Sequence, residues 1–145
     1  MKLKSLLAKP YAIVVSKRLK KIMLTAVQDQ ERIFESLLKN GQITLFGKDH
    51  HFNQIKTYED FKKHVPLRDY EEFKPYIEII KQGRDNVLWK GRPLYFAKTS
   101  GTTSGVKYIP ITKDSISNHI EGARNALLCY IAETGNAEFT DGKMI

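Results

Sequence analysis

Apolar residues recur at three- and four-residue intervals over positions 19–38, which is the spacing of an amphipathic helix. The members of this stripe are Leu19, Ile22, Met23, Ala26, Ile33, Phe34, Leu37 and Leu38, with Gln30 as its one polar gap. Asn40-Gly41 then supplies a stop signal. The pattern predicts one long amphipathic helix that ends near Lys39.

The pattern changes after this helix. Segment 44–55, TLFGKDHHFNQI, contains a glycine and a polar run and predicts a loop. Thr57 is followed three residues later by Asp60, which is typical of a capping box. We therefore expect a short helix from Tyr58 to about His64, which Pro66 prevents from continuing.

Asp69 and Glu72 repeat the capping pattern, but Pro75 follows closely. A proline inside a helix removes one backbone hydrogen bond. The sequence therefore predicts a helical turn first, and then a helix that starts near Pro75 and runs to Gly83.

Two short apolar runs, PLYFA at 93–97 and YIPIT at 108–112, predict strands on either side of a polar loop. Thr112 is placed to cap a final helix that ends near Gly135. The predicted apolar stripe of that helix is Ile116, Ile120, Ala123, Leu127 and Ile131. The closing DGKMI predicts a turn followed by the start of another strand, so we expect the chain to stop in mid-fold.

Composition is that of an ordinary globular protein, with 145 residues, 41% hydrophobic and 28% charged. Cys129 is the only cysteine, so no intrachain disulfide forms, and we expect a cytoplasmic setting. The adjacent pair His50-His51 has no partners at metal-ligand spacing, so the sequence does not favour a metal site.

The net charge of +8 is concentrated near the N-terminus. Residues 1–21 contain seven basic residues and no acidic one, which leaves 17 basic and 16 acidic residues in the remainder. A basic helix of this kind could bind nucleic acid or a membrane surface. The sequence favours a solvated face or a contact within the same protein, because Tyr11 is the only aromatic residue in the segment.

The loop between the predicted strands carries the most specific chemistry. Thr99–Lys107, TSGTTSGVK, contains two glycines, five hydroxyl side chains and a closing lysine. Glycines allow the backbone to approach a phosphate closely, hydroxyl groups donate hydrogen bonds, and the lysine supplies positive charge. The spacing differs from the P-loop of mononucleotide-binding ATPases, and a plain hairpin connection stays open as the alternative.

This loop resembles the phosphate-loop signature Ser-Gly-Thr-Thr-Gly-x-Pro-Lys of the adenylate-forming enzymes, with Ser104, Gly105 and Val106 as departures from it. Together with VPLRDYEEFKPYI at 65–77, it resembles the auxin-responsive (Gretchen Hagen) family of acyl-acid amido synthetases. The resemblance runs from about residue 30 to the end of the chain.

The resemblance implies an α/β fold. The chain would hold N-terminal helices (1–41, the basic segment) and then the first strands and helix of a large adenylating domain (42–145), truncated in mid-fold. Its function would be ATP-dependent adenylation of a carboxylic acid, followed by acyl transfer to an amine, which the resemblance suggests belongs to an amino acid. The missing remainder of the domain would be needed for activity, so we expect this segment alone to be inactive.

The implied site holds ATP and Mg²⁺. Lys107 would be both the catalytic residue and the charge partner of the phosphates. The residues implied to form the phosphate cradle are Ser100, Gly101, Thr102, Thr103, Ser104 and Gly105. Three alternatives stay open: a ligase that forms acyl-coenzyme A, a non-catalytic domain, and a nucleic-acid or membrane-binding module built on residues 2–21.

Overall fold

The computed structural model describes residues 3–100 and 105–142, and these are mostly helical with a small two-stranded sheet. The helices are α1 (Leu3–Met23), α2 (Ala26–Gly41), α3 (Leu45–Asp49), α4 (Tyr58–His64), α5 (Tyr70–Lys81) and α6 (Lys113–Thr134). The strands are β1 (Tyr95–Lys98) and β2 (Tyr108–Ile111), and 3₁₀ turns occur at Phe52–Gln54 and Glu138–Asp141. The predicted final strand lies outside the described residues from position 143 onwards. Placement within an adenylating domain stays a prediction.

The chain forms two compact units, one made of Met1–Asp29 with Ile116–Ile145 and the other of Gln30–Ser115. The boundaries between them fall inside α2 and α6. The predicted division at residue 41 stays a prediction.

In the first unit, α1 packs through its smallest side chains. Ser5, Ala12 and Ser16 are buried on this helix, and the cluster around Ala12 includes Leu128 and Ile131 of α6. The large apolar side chains of α1 face outward instead: the exposed fraction is 71% for Leu3, 61% for Leu7 and 65% for Val14.

The predicted single helix over 19–38 is wrong, because the chain turns at Leu24 and Thr25 between α1 and α2. The Thr25 hydroxyl has two acceptors for its one hydrogen, the Ile22 carbonyl at 3.1 Å and the Asp29 carboxylate at 2.9 Å. Threonine side chains compete with the helix for local backbone groups. This threonine therefore ends one helix and supports the first turn of the next.

The predicted loop over 44–55 is also wrong, since it contains α3 and a 3₁₀ turn. Thr44 caps α3: its hydroxyl accepts the Gly47 N–H at 2.9 Å and donates to the Gly41 carbonyl at 2.7 Å. The N–H groups of Leu45 and Phe46 donate to the carbonyls of residues 86 and 87, at 2.7 and 3.0 Å. Acceptors from a distant segment thus stabilise a helix that the local polar pattern does not indicate.

Both predicted capping boxes are confirmed, at Thr57 with Asp60 and at Asp69 with Glu72. In the first, the Lys56 N–H and then the Thr57 groups hold the pKa of Asp60 below its usual value, because they bind the ionised carboxylate. The start of α4 is therefore stabilised above the ordinary carboxyl pKa, and this is lost as the pH falls through the lowered value.

The predicted interruption near Pro75 is wrong, because α5 is one continuous helix that contains Pro75. A proline here forfeits only the bond to the Glu71 carbonyl, in the first turns of the helix. Glu71 and Pro75 are both exposed, so water has access to this part of the helix. The capping box at Asp69 already fixes the helix start, and the single lost bond does not break it.

The two predicted strands are confirmed and form an antiparallel hairpin, with Tyr95 opposite Ile111 and Lys98 opposite Tyr108. One face of the hairpin meets α5 in a cluster around Ile77, Ile80 and Val87, to which Phe96 and Tyr108 contribute. This packing fixes the end of the hairpin from which the loop emerges.

The predicted cap of α6 is confirmed: the Thr112 and Ser115 hydroxyls accept each other's backbone N–H, at 3.2 and 3.0 Å. The predicted apolar stripe is largely wrong. Ile120 and Leu127 are exposed, while Leu128 and Ile131 are buried. The core of the first unit therefore lies along a face of α6 that is rotated from the predicted stripe.

We expect Gly47→Ala to lower the free energy of unfolding by about 2 kcal/mol, since an added methyl group cannot be accommodated here. A Cβ at this position would lie 2.1 Å from the Gly41 carbonyl oxygen, which is backbone and cannot swing aside. Gly122→Ala in α6 is the matched control, because a Cβ there meets nothing within 4 Å. Urea unfolding should show the control unchanged or stabilised; equal stability of the two variants would contradict the packing described.

Candidate phosphate-binding site

The loop predicted to bind phosphate connects the two strands of the β-hairpin, after Lys98 and before Tyr108. Ser100, Gly105 and Lys107 are among the described residues, while Gly101, Thr102, Thr103 and Ser104 lie outside them. The site is therefore described here through the residues that flank its centre.

Thr99 and Lys107 close the base of the loop by extending the hairpin one step beyond the strands. The Thr99 N–H donates to the Lys107 carbonyl at 3.1 Å. The Lys107 N–H in turn donates to the Thr99 hydroxyl oxygen at 3.2 Å. The two ends of the loop are thus held side by side, and the backbone of Lys107 is fixed on both its polar groups.

Gly105 turns the chain into the second strand with a φ of +77°. This is the left-handed region, which glycine adopts without steric cost. A Cβ built at this position meets no atom within 4 Å, so the space beside the backbone is open. The glycine therefore lets the backbone adopt the conformation that leads into β2.

Lys107 is half-buried, and its side chain lies over an aromatic ring. Its Nζ is 5.7 Å from the ring centroid of Tyr70, the first residue of α5. That distance is within the range of a cation–π contact. The same tyrosine accepts the Tyr108 N–H at its hydroxyl oxygen, at 2.7 Å. One aromatic side chain thus contacts two successive residues at the end of the loop.

The ring of Tyr108 contacts a second lysine ammonium. The Lys81 Nζ lies 4.9 Å from the Tyr108 ring centroid and pairs with Glu78 at 2.9 Å. The hydrogen bond that Lys81 donates to the Glu78 carboxylate raises the pKa of Lys81, so this ammonium stays charged throughout the neutral range. The Tyr108 ring also meets Phe96 edge-on, with centroids 6.5 Å apart.

The segment before α5 is fixed by a polar cluster that the sequence pattern did not indicate. The Arg68 guanidinium donates to His50 Nε2 at 3.0 Å, and His50 Nδ1 donates to the Phe46 carbonyl at 2.7 Å. Because the carbonyl only accepts and the guanidinium only donates, these contacts assign the donor role to His50 Nδ1 and the acceptor role to Nε2. This buried histidine therefore links Arg68, just before α5, to the end of α3.

Tyr76 extends this cluster from α5. Its hydroxyl donates to the Asp49 carboxylate at 2.8 Å. Burial, and then that carboxylate, raise the pKa of Tyr76. The tyrosine therefore stays neutral and acts as a hydrogen-bond donor that ties α5 to α3.

Among residues 3–100 and 105–142, no group of three His, Cys, Asp or Glu side chains is placed to hold a metal ion. None of the helices within these residues is long and apolar enough to cross a membrane.

Comparison with known proteins decides the family. The model of the GH3 family N-terminal domain matches residues 15–145. The chain belongs to the GH3 family. The family assigned from the loop and the upstream motif is therefore confirmed.

Two curated GH3 relatives are amido synthetases. Indole-3-acetic acid-amido synthetase GH3.15 of Arabidopsis thaliana is 33% identical over 95 residues, which is 64% of this chain and 16% of the relative. A protein named "Probable indole-3-acetic acid-amido synthetase GH3.13", of Oryza sativa subsp. japonica, is 40% identical over 58 residues, or 39% of this chain and 12% of the relative. The match thus spans under a fifth of either relative. No solved structure matches the chain significantly.

We expect Gly105→Ala to destabilise the base of the loop by about 1–2 kcal/mol, which is the cost of a left-handed backbone for a residue with a Cβ. Because space around the position is open, the loss would come from backbone strain alone. Val106→Ala at the adjacent position is the matched control, since the Val106 side chain is exposed. Hydrogen exchange of the Thr99 and Lys107 amides should accelerate only in the glycine variant; unchanged exchange in both variants would contradict the assigned φ.

Proposed function

We propose that the chain supplies the phosphate loop of an enzyme that adenylates a carboxylic acid with ATP and then transfers the acyl group to an amine of an amino acid. The observation that carries the proposal is the placement of Lys107 at the base of the loop, with its backbone paired to Thr99 and its ammonium over Tyr70. Family membership and the relatives' names support the amide-forming reaction.

Two described residues of the loop have properties that a phosphate group requires. Gly105 leaves open space beside the backbone, and Lys107 brings a positive charge to the same end of the hairpin. Ser100 and the residues Gly101, Thr102, Thr103 and Ser104 would complete the cradle with N–H and hydroxyl donors. Mg²⁺ would be bound through the ATP phosphates, as this ion commonly is in nucleotide sites.

Charge stabilisation is the proposed contribution of this loop to the reaction. When the acid attacks the α-phosphorus of ATP, negative charge grows on the leaving pyrophosphate. Preorganised N–H groups and the Lys107 ammonium would stabilise that charge in the transition state. Magnesium, when bound, adds further neutralisation of the phosphate oxygens.

An acyl-coenzyme A ligase is the closest alternative, because the same loop would serve adenylation in either reaction. The relatives' names favour the amide. A binding module built on the basic α1 is the alternative from another class. A module of that kind would bind nucleic acid with an affinity that falls steeply with salt concentration. It would not catalyse the exchange of pyrophosphate into ATP in the presence of a carboxylic acid.

In the full-length protein that carries this segment, we expect Lys107→Ala to slow adenylation about a hundredfold. Loss of one preorganised charge contact commonly removes about 3 kcal/mol of transition-state stabilisation. ATP–pyrophosphate exchange with a panel of carboxylic acids measures the rate. Lys98→Ala is the matched control, because it removes the same charge from β1, opposite Tyr108. Equal losses in the two variants would indicate a general charge effect and remove Lys107 from the mechanism.

We also expect ATP with Mg²⁺ to slow hydrogen exchange of the amides in 100–106, since phosphate oxygens would accept their hydrogen bonds. The amides of Tyr95 and Ile111, which belong to the hairpin itself, are the internal control and should not respond. Exchange that is indifferent to ATP across the loop would identify it as a structural hairpin connection.

A further inference from the structure

We infer that Tyr70 is a positioning residue for the phosphate loop and acts through Lys107; this inference rests on the proposed function. Tyr70 lies 37 positions before Lys107 in the sequence, in the RDYEEF segment. Its hydroxyl oxygen receives the Tyr108 N–H at 2.7 Å, and its ring lies under the Lys107 ammonium at 5.7 Å.

Tyr70 projects from a fixed point of the backbone. It is the first residue of α5 and directly follows Asp69, whose carboxylate accepts the Glu72 N–H at 3.0 Å. The Glu72 carboxylate in turn accepts the Asp69 N–H at 2.9 Å. Two residues before Tyr70, the bond from Arg68 to His50 holds the approach to the helix. The backbone that carries the Tyr70 side chain is therefore fixed both before and after this residue.

Lys107 needs such an anchor because a lysine side chain is a long and flexible stem. The backbone of Lys107 is fixed by its pairing with Thr99, but this pairing does not orient the ammonium. The ring of Tyr70 gives the ammonium a preferred place through its negative face. The hydroxyl of Tyr70 accepts the backbone N–H of the adjacent residue, Tyr108, and so fixes the start of β2 relative to α5. The two contacts together define the position of the charge relative to the loop.

A double-mutant cycle separates positioning from a general structural role. In the full-length protein, Tyr70→Phe keeps the ring and removes the acceptor of the Tyr108 N–H. We expect kcat of ATP–pyrophosphate exchange to fall roughly tenfold, with KM for the acid unchanged. In the Lys107→Ala background, the same substitution should change kcat by less than about twofold. Equal losses in both backgrounds would overturn the inference, because Tyr70 would then act independently of Lys107.

Tyr95→Phe is the matched control. Tyr95 lies on β1 of the same hairpin and is half-exposed, so its hydroxyl can be removed without disturbing the contact at Tyr70. Exchange activity of this variant should equal that of the unmodified protein. A loss as large as that of Tyr70→Phe would show that the hairpin responds to any lost hydroxyl and would overturn the inference.

A readout without catalysis distinguishes failure of this inference from failure of the proposed function. In the unmodified protein, the Tyr70 ring should shift the NMR signal of ¹³C-methylated Lys107 upfield. The upfield shift should persist in Tyr70→Phe, which keeps an aromatic ring, and should disappear in Tyr70→Leu. The Tyr108 amide should exchange faster in both variants. If these signals respond while the unmodified protein shows no ATP–pyrophosphate exchange, the positioning of Lys107 stands and the proposed reaction fails. If the chemical shift of methylated Lys107 is the same in Tyr70→Leu as in the unmodified protein, Tyr70 does not position Lys107 and the inference is wrong.

Discussion

The hydrogen bond from the Tyr108 N–H to the Tyr70 hydroxyl joins two parts of the chain that are 38 residues apart. It connects the capped start of α5 to the first residue of β2, and therefore to the point where the loop rejoins the hairpin. A partly buried backbone N–H needs a partner, and a side chain from another element satisfies it here. The contact bears on the position of Lys107, because it ties the residue after Lys107 to the start of α5.

The helix caps could be predicted from sequence because they are local. Thr57, Asp69 and Thr112 each bond a backbone group three residues away, so the residue types and their spacing contain the whole interaction. The two strands were predicted for a similar reason, since short apolar runs on either side of a glycine-rich segment favour a hairpin. The family followed from the combination of that segment with the motif at 65–77.

The errors arise where distant residues or single side chains decide the structure. Helix α3 uses carbonyl acceptors from residues 86 and 87, which a window around residue 45 does not include. The break before α2 comes from one threonine hydroxyl, within a stripe whose apolar spacing continues past it. At the candidate site, the loop spacing indicated Lys107, but Tyr70 is identified only when α5 and β2 are brought together.

The packing of α1 has a consequence for how substitutions are tolerated along this chain. Its inward positions hold Ser5, Ala12 and Ser16, while Leu3 and Val14 point outward. Close approach between elements depends on the absence of bulk, so an enlarged side chain at a serine or alanine would separate them. Replacing an outward leucine with a polar residue would leave that approach intact. Hydropathy alone would rank the leucine and valine positions as the ones least tolerant of substitution. The packing of α1 predicts the opposite order, in which the buried serine and alanine positions are constrained and the exposed apolar positions are variable.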